Sequence, residues 1–476
     1  MKNDTRPFGR ALMGMGTGIC AIGVALLFYS GIFGNTTLPL IIVLFIVVVI
    51  GLCLIDQKTL MVSILVARAS GDVLLEATRP GLAIDMVGLG GILNLIVIVL
   101  AVSLIYENRA RVPRGAGLLW VGFFLTALYG ITLSPVKGEA VRFYTSWLSN
   151  CAVFVSAFYI VRSEQDFRSC VRVILWSSIV PAAYAVFELV TGTTGAGSAV
   201  RVQGTFYHPN IFAFYLSFVI PFGFYLLKSR TVPGIGIRQI ALGLYILFLL
   251  VLLLLTQTRS AWIAMVALTG MYGMIFQRRY LIYLGVLICL AVLVPAVQER
   301  LIDLEMGGGE SHLTRLNSFA WRLSLWGAAL DWMSPFHYLF GYGVGAFREN
   351  AGVFFPSGGN VRWDAHNVYI QWFFDTGVIG VVSYLWIHYR AVLLLRPLAR
   401  VDRLAAFIIF AAVANYLLVS LSDNMMFYLS FNWYYFFILG TGISLATIKS
   451  PPVLQRVKLT RRTLWLSTGA WSGAEH

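Results

Sequence analysis

The chain has 476 residues, 59% of them hydrophobic and only 12% charged, with a formal net charge of +14. A soluble domain of this size needs more charge, and the apolar residues come in runs of about 18–22, the length that crosses a bilayer. The positive excess does not mark a nucleic-acid binder, because the basic residues gather between the apolar runs.

In chain order the runs predict spans near 11–33, 37–55, 84–106, 115–134, 145–163, 169–190, 210–228, 238–256, 260–277, 280–297, 367–389, 404–421 and 427–447. The first follows Lys2, Arg6 and Arg10 and lacks a small-residue cleavage site, so it reads as a retained span. Segment 57–83 holds a short apolar piece, Leu60–Ala67, then Arg68, Asp72, Glu76 and Arg79. It reads as an interfacial amphipathic helix or a poor extra crossing. The expected fold is all-α, a polytopic helical membrane protein with about 12–14 transmembrane helices and one large periplasmic loop. Residues 1–476 form a single membrane domain, 298–366 an inserted periplasmic loop and 448–476 a cytoplasmic C-terminal tail.

Basic clusters set the orientation. Arg109, Arg111 and Arg114 form one; Arg162, Arg168 and Arg172 the next. Lys228, Arg230 and Arg238 follow, then Arg278 and Arg279, then Arg390, Arg396, Arg400 and Arg403, then the tail. Two spans separate each cluster from the next, so all lie on the cytoplasmic side. Connections at 135–144, 191–209, 257–259, 298–366 and 422–426 then face outward. One conflict stands: three candidate spans precede Arg109, which would put the basic N-terminus outside.

The cysteines, Cys20, Cys53, Cys151, Cys170 and Cys289, lie in or beside apolar runs at spacings that suit neither a metal nor a disulfide framework. Chemistry is expected in the outward segments. Arg201 to Asn210 reads Arg-Val-Gln-Gly-Thr-Phe-Tyr-His-Pro-Asn, with Asn210 a plausible helix cap. Arg201 is equally readable as an interfacial anchor. Arg259, in Thr256-Gln-Thr-Arg-Ser-Ala-Trp262, sits in a turn so short that the cation is forced toward the apolar slab. It needs an anionic partner, either a ligand or a distant carboxylate such as Asp423.

In 298–366 every cation is arginine: Arg300, Arg315, Arg322, Arg348 and Arg362. Such a set suits bidentate grip on phosphate or carboxylate, although any one of them reads as well as loop solvation. Gly341-Tyr-Gly-Val-Gly345 either presents amides to phosphate or makes a tight turn. Asp364-Ala-His366-Asn367 closes the loop at a helix start, where His366 suits general-base work. His208, His312 and His337 also face outward, so position alone does not choose among them. No Walker loop and no Asp-x-Asp pair appears in these segments.

Arg201…His208-Pro-Asn210, Thr-Arg259-Ser-Ala-Trp, Gly341-Tyr-Gly-Val-Gly345 and His366-Asn-Val-Tyr369 with Gly377 and Gly380 together resemble the O-antigen ligase and polymerase superfamily of bacterial envelope glycosyltransferases. The resemblance covers roughly residues 190–440. It implies inverting transfer of a glycan from undecaprenyl diphosphate to an acceptor hydroxyl at the periplasmic face of the inner membrane. It implies catalytic Arg201, Arg259 and His366, and no metal and no cofactor. His208, Asn210, Arg348, Arg362 and Asn367 are the further substrate-binding candidates. The acceptor is a second lipid-linked repeat for a polysaccharide polymerase, the preferred reading, or lipid A–core for a ligase. A flippase or chain-length regulator is a conceivable partner. The rival classes are a non-reacting scaffold and a secondary transporter, the latter supported by Asp331 and Asp375 near apolar stretches.

Overall fold

A computed structural model describes residues 57–77, 89–113, 115–192, 201–229, 237–294, 297–298, 318–356 and 362–449. The spans expected at 11–33 and 37–55, Arg300, Arg315 and His312 of the loop, and the tail beyond 449 lie outside the described residues. Every regular element among those described is helical.

In chain order they are α1 (Gln57–Ser70), α2 (Asp72–Ala77), α3 (Leu89–Glu107), α4 (Val121–Leu133), α5 (Lys137–Ile160) and α6 (Glu164–Trp176). Then come α7 (Ile179–Thr191), α8 (Pro209–Lys228), α9 (Ile237–Leu255), α10 (Arg259–Ile275), α11 (Arg279–Val292) and α12 (Ser318–Trp332). The last are α13 (His337–Phe340), α14 (Ala346–Phe354), α15 (Val368–Leu395), α16 (Leu398–Val401), α17 (Arg403–Val419) and α18 (Leu429–Lys449). Among the described residues five stretches are long and apolar enough to cross a membrane: Gly90–Glu107, Glu164–Thr191, Pro209–Lys228, Ile237–Leu255 and Val368–Val401. Val121–Leu133, Arg279–Val292 and Arg403–Val419 are apolar but shorter.

The centre of the bundle is α18. It is apolar on every side, and Ser430 through Ala446 are buried throughout, as expected of a helix enclosed by others. It packs against α1, α5, α6, α8, α15, α16 and α17. Gly440 lies against the Phe154 carbonyl of α5, a backbone approach that leaves no room for a Cβ. Beside it the Trp433 indole donates to Ser149 Oγ at 2.9 Å, and Trp120 and Trp147 pack on Phe436. At the periphery the pattern inverts: α11 buries no residue and turns its apolar side chains outward, the surface that lipid covers.

α1 is not an amphipathic surface helix. Leu60 to Val66 are buried, and the helix runs antiparallel to α3. Gln57 Nε2 donates to Ser103 Oγ at 3.2 Å near one end, and Gly90 lies against Arg68 near the other.

The basic connections gather at one end of the bundle. Tyr159 donates to the Asn108 carbonyl, Lys449 pairs with Glu164, Lys228 lies over the Tyr280 ring, and Arg403 lies over Phe276. At the opposite end α12 and α14 build a small core of their own, with Leu325, Met333, Phe347 and Phe354 closed against Phe374 of α15. The long loop is therefore, over its described part, a packed cap.

Candidate active site

The segment before α8 is pinned at three points. Glu188 of α7 accepts the Gln203 and Gly204 amides at 3.1 and 2.8 Å, and Thr205 Oγ1 donates to the Ala69 carbonyl at 2.7 Å. The cap of α8 is His208, not Asn210: its Nδ1 accepts the Asn210 amide at 3.1 Å, and Pro209 occupies the first turn, where its missing N–H costs nothing. Burial lowers the His208 pKa; Asp423 opposes this, while Arg201, His366 and Arg322 add to it. Because Nδ1 accepts the Asn210 amide, the ring presents Nε2 as its donor.

So held, Arg201 meets the turn between α9 and α10. Its Nε donates to the Thr256 carbonyl at 3.0 Å, and Nη2 to Asn210 Oδ1 at 3.0 Å and Thr258 Oγ1 at 3.4 Å. One residue further, Arg259 opens α10. A cation at the positive end of a helix is unfavourable by itself, so helix terminus and guanidinium together favour an anion there. Gln257 inside this turn has a left-handed backbone, φ 53°.

The third segment arrives from the end of the long loop. Asn367 caps α15, accepting the Tyr369 and Ile370 amides at 2.9 and 3.2 Å. His366 precedes it with φ 49°, and its Nδ1 lies 3.5 Å from Asp423 Oδ1. The imidazole is 37% exposed and the carboxylate 1%, so the ring bridges a buried anion and an open face. Asp423 also accepts Asn210 Nδ2 at 2.7 Å, its neighbour's Asn424 amide at 2.9 Å, and the Tyr428 hydroxyl. Burial alone would raise its pKa. The hydrogen bond and charge of His366, then Tyr428 and Asn210, outweigh this and hold the carboxyl below the ordinary range.

The result is a continuous line, Arg201–Asn210–Asp423–His366, drawn from segments more than fifty residues apart. Arg322 of α12 joins it by donating to the Ser422 carbonyl at 2.8 Å. Burial lowers the Arg322 pKa; Asp423 and Tyr428 offset part of that, and Arg259 adds to it. Arg201 reaches this engaged carboxylate through Asn210, and Arg322 lies within electrostatic reach of both Asp423 and Arg259, so three guanidinium groups gather on this side of the site.

The other candidates are placed differently. Arg362 pairs with Glu349 at 3.1 Å, and its side chain is 60% exposed. Arg348 is exposed and lies within electrostatic reach of half-buried Asp364, whose pKa is raised by partial desolvation. Asn367 directs its side-chain oxygen to the helix cap. Sequence reasoning named Asp423 only as a possible partner of Arg259 and Arg322 only as one of the loop arginines; it missed Asp423 as the hub and did not name Tyr428. The available signal was an aspartate in a short outward connection between two apolar runs.

The glycine run is a turn, not a phosphate cradle. α15 breaks at Gly377, φ 69°, and the carbonyls of Phe374 and Asp375 accept the Tyr342 and Gly343 amides at 3.0 and 2.7 Å. The Val344 amide goes to the Gly130 carbonyl. The Asp375 carboxylate takes the Gly345 and Phe347 amides at 2.9 and 2.8 Å, capping α14. That assignment removes the main support for a transporter, since Asp375 is a structural cap and Asp331 is exposed on α12.

Residues 244–385 match the family model described as O-antigen ligase. Over this stretch the chain is similar to the O-antigen ligase family, which supports the resemblance to the ligase/polymerase superfamily drawn from the sequence. The matched stretch contains Arg259, Arg322 and His366; Arg201, Asn210 and Asp423 lie outside it and reach the site through the fold. No curated protein matches the chain. The match supports glycosyl transfer of the ligase/polymerase type in general.

Proposed function

We propose that this protein transfers a glycan from undecaprenyl diphosphate to an acceptor sugar hydroxyl at the periplasmic face, without a metal, and that it is a polysaccharide polymerase. The observation that supports this reading is the line from Arg201 through Asn210 and Asp423 to His366. Arg201 and Arg259 grip the diphosphate and stabilise the charge that grows as the sugar–phosphate bond breaks. His366, with Nδ1–H directed to Asp423, takes the acceptor proton at Nε2. Asp423 holds the tautomer and offsets the imidazolium charge. The acceptor oxygen attacks opposite the leaving diphosphate and inverts the anomeric carbon.

The test is purified protein with an undecaprenyl diphosphate glycan and either a second lipid-linked repeat or lipid A–core, in excess chelator. Release of undecaprenyl diphosphate with lengthened lipid-linked glycan is the expected result; product on lipid A–core alone identifies a ligase. His366→Ala is expected to abolish transfer and keep donor binding, whereas Arg201→Ala and Arg259→Ala weaken both. Near-normal turnover by His366→Ala, or activity restored only by a divalent cation, overturns the respective assignment.

A further inference from the structure

The end of the bundle opposite Arg201 and His366 carries a cavity of about 1020 Å³ that the reaction does not use. Helix directions fix its place: α8 starts beside the site at His208 and ends at Lys228, while α9 starts at Ile237 and returns toward Arg259. α6 and α9 both pack on α8. They close on each other only further along, where Ser178 and Tyr245 hydroxyls lie 2.7 Å apart and Trp176 stacks on Tyr245 at 5.8 Å. The break between α6 and α7 that presents Ser178 follows from Pro181, which has no N–H to give the Ser177 carbonyl. Nearer the basic end the two helices part, and the space between them is the cavity.

Arg168 and Arg172 of α6 and Arg238 of α9 line it, and the one lining acid, Glu164, is engaged by Arg168 at 2.7 Å and by Lys449. The remaining wall is mainly apolar, with Trp176, Leu242 and Tyr245. Ile240 and Leu244, next along α9, are 54% and 61% exposed, so this side of the bundle meets lipid. Guanidinium forks beside a greasy, membrane-level wall suit a ligand with a phosphate and a hydrocarbon chain; a free phosphate leaves that wall unused. We infer that this cavity binds an anionic phospholipid, its phosphodiester held by Arg168, Arg172 and Arg238 and an acyl chain along Trp176 and Leu242. The inference is independent of the glycosyl-transfer reading, because it concerns the other end of the molecule.

Native mass spectrometry of the full, delipidated protein titrated with phosphatidylglycerol, phosphatidylethanolamine or inorganic phosphate tests it. Wild type is expected to retain phosphatidylglycerol in preference to phosphatidylethanolamine. Arg172→Ala/Arg238→Ala is expected to bind phosphatidylglycerol about 25-fold more weakly, each basic side chain near an anionic lipid being worth roughly fivefold. The milder Arg172→Lys/Arg238→Lys pair keeps the charge and is expected to fall between. Equal retention of the two lipids by wild type overturns the proposal without any variant. So does unchanged affinity in the alanine pair, and displacement of phosphatidylglycerol by millimolar inorganic phosphate assigns the arginines to a soluble anion instead.

Discussion

His366 holds a backbone, φ 49°, that side chains other than glycine seldom adopt. Its neighbours keep it there: the Ala365 amide donates to Gln371 Oε1 at 2.8 Å and the Asn367 amide to Asn424 Oδ1 at 3.0 Å. Strain held this way fixes the direction of the imidazole before substrate arrives. Asp423→Asn is therefore expected to lower kcat by about 10²–10⁴-fold, the usual contribution of a positioned base, with donor binding retained. The carboxyl also links stability to acidity. Its folded pKa lies below the unfolded one, so its stabilisation is full above about pH 4 and lost as pH falls through the folded value. Thermal unfolding of wild type and Asp423→Asn should converge in acid and separate at neutral pH. Residue types in outward segments were enough to nominate Arg201, Arg259 and His366. Asp423 could be named as a possible partner of Arg259, but its place as the hub was not legible, because its partners Asn210 and His366 are remote in sequence.

At the scale of elements, composition is local and partner choice is not. Apolar runs foretold where α3, α8, α9 and α15 lie, since the length of a run is read directly from the chain. Burial of α1 was hidden, because Arg68 and Asp72 make its end look like surface until they pair at 3.6 Å beneath Trp433. The glycine run was ambiguous for a similar reason: the acceptors for its amides include Gly130, about two hundred residues earlier, and Phe374 and Asp375 at a helix break about thirty residues later. Gly341 has φ 69°, and a Cβ there meets the Asp375 carbonyl and the Thr376 amide. Gly341→Ala is expected to lose at least about 1–3 kcal/mol of stability. Thermal melting in detergent checks this, and a melting temperature equal to wild type would show that the turn tolerates a side chain.

Across the whole molecule, the acidic and arginine-rich site and the basic connections occupy opposite ends of the helices. A membrane-impermeant thiol reagent should read that polarity. In a background without native cysteines, Tyr207→Cys beside the site is expected to label in spheroplasts, and Arg278→Cys only after lysis. The reverse pattern inverts the orientation and removes a periplasmic active site. One further consequence comes from α18. The helix that every major neighbour encloses is translated after all of them. Until the ribosome delivers it, α1, α5, α8 and α15 must wait around a slot that only lipid or an insertase can fill. A chain terminated before Leu429 should therefore be cleared by proteolysis within a pulse–chase rather than persist as a partial bundle.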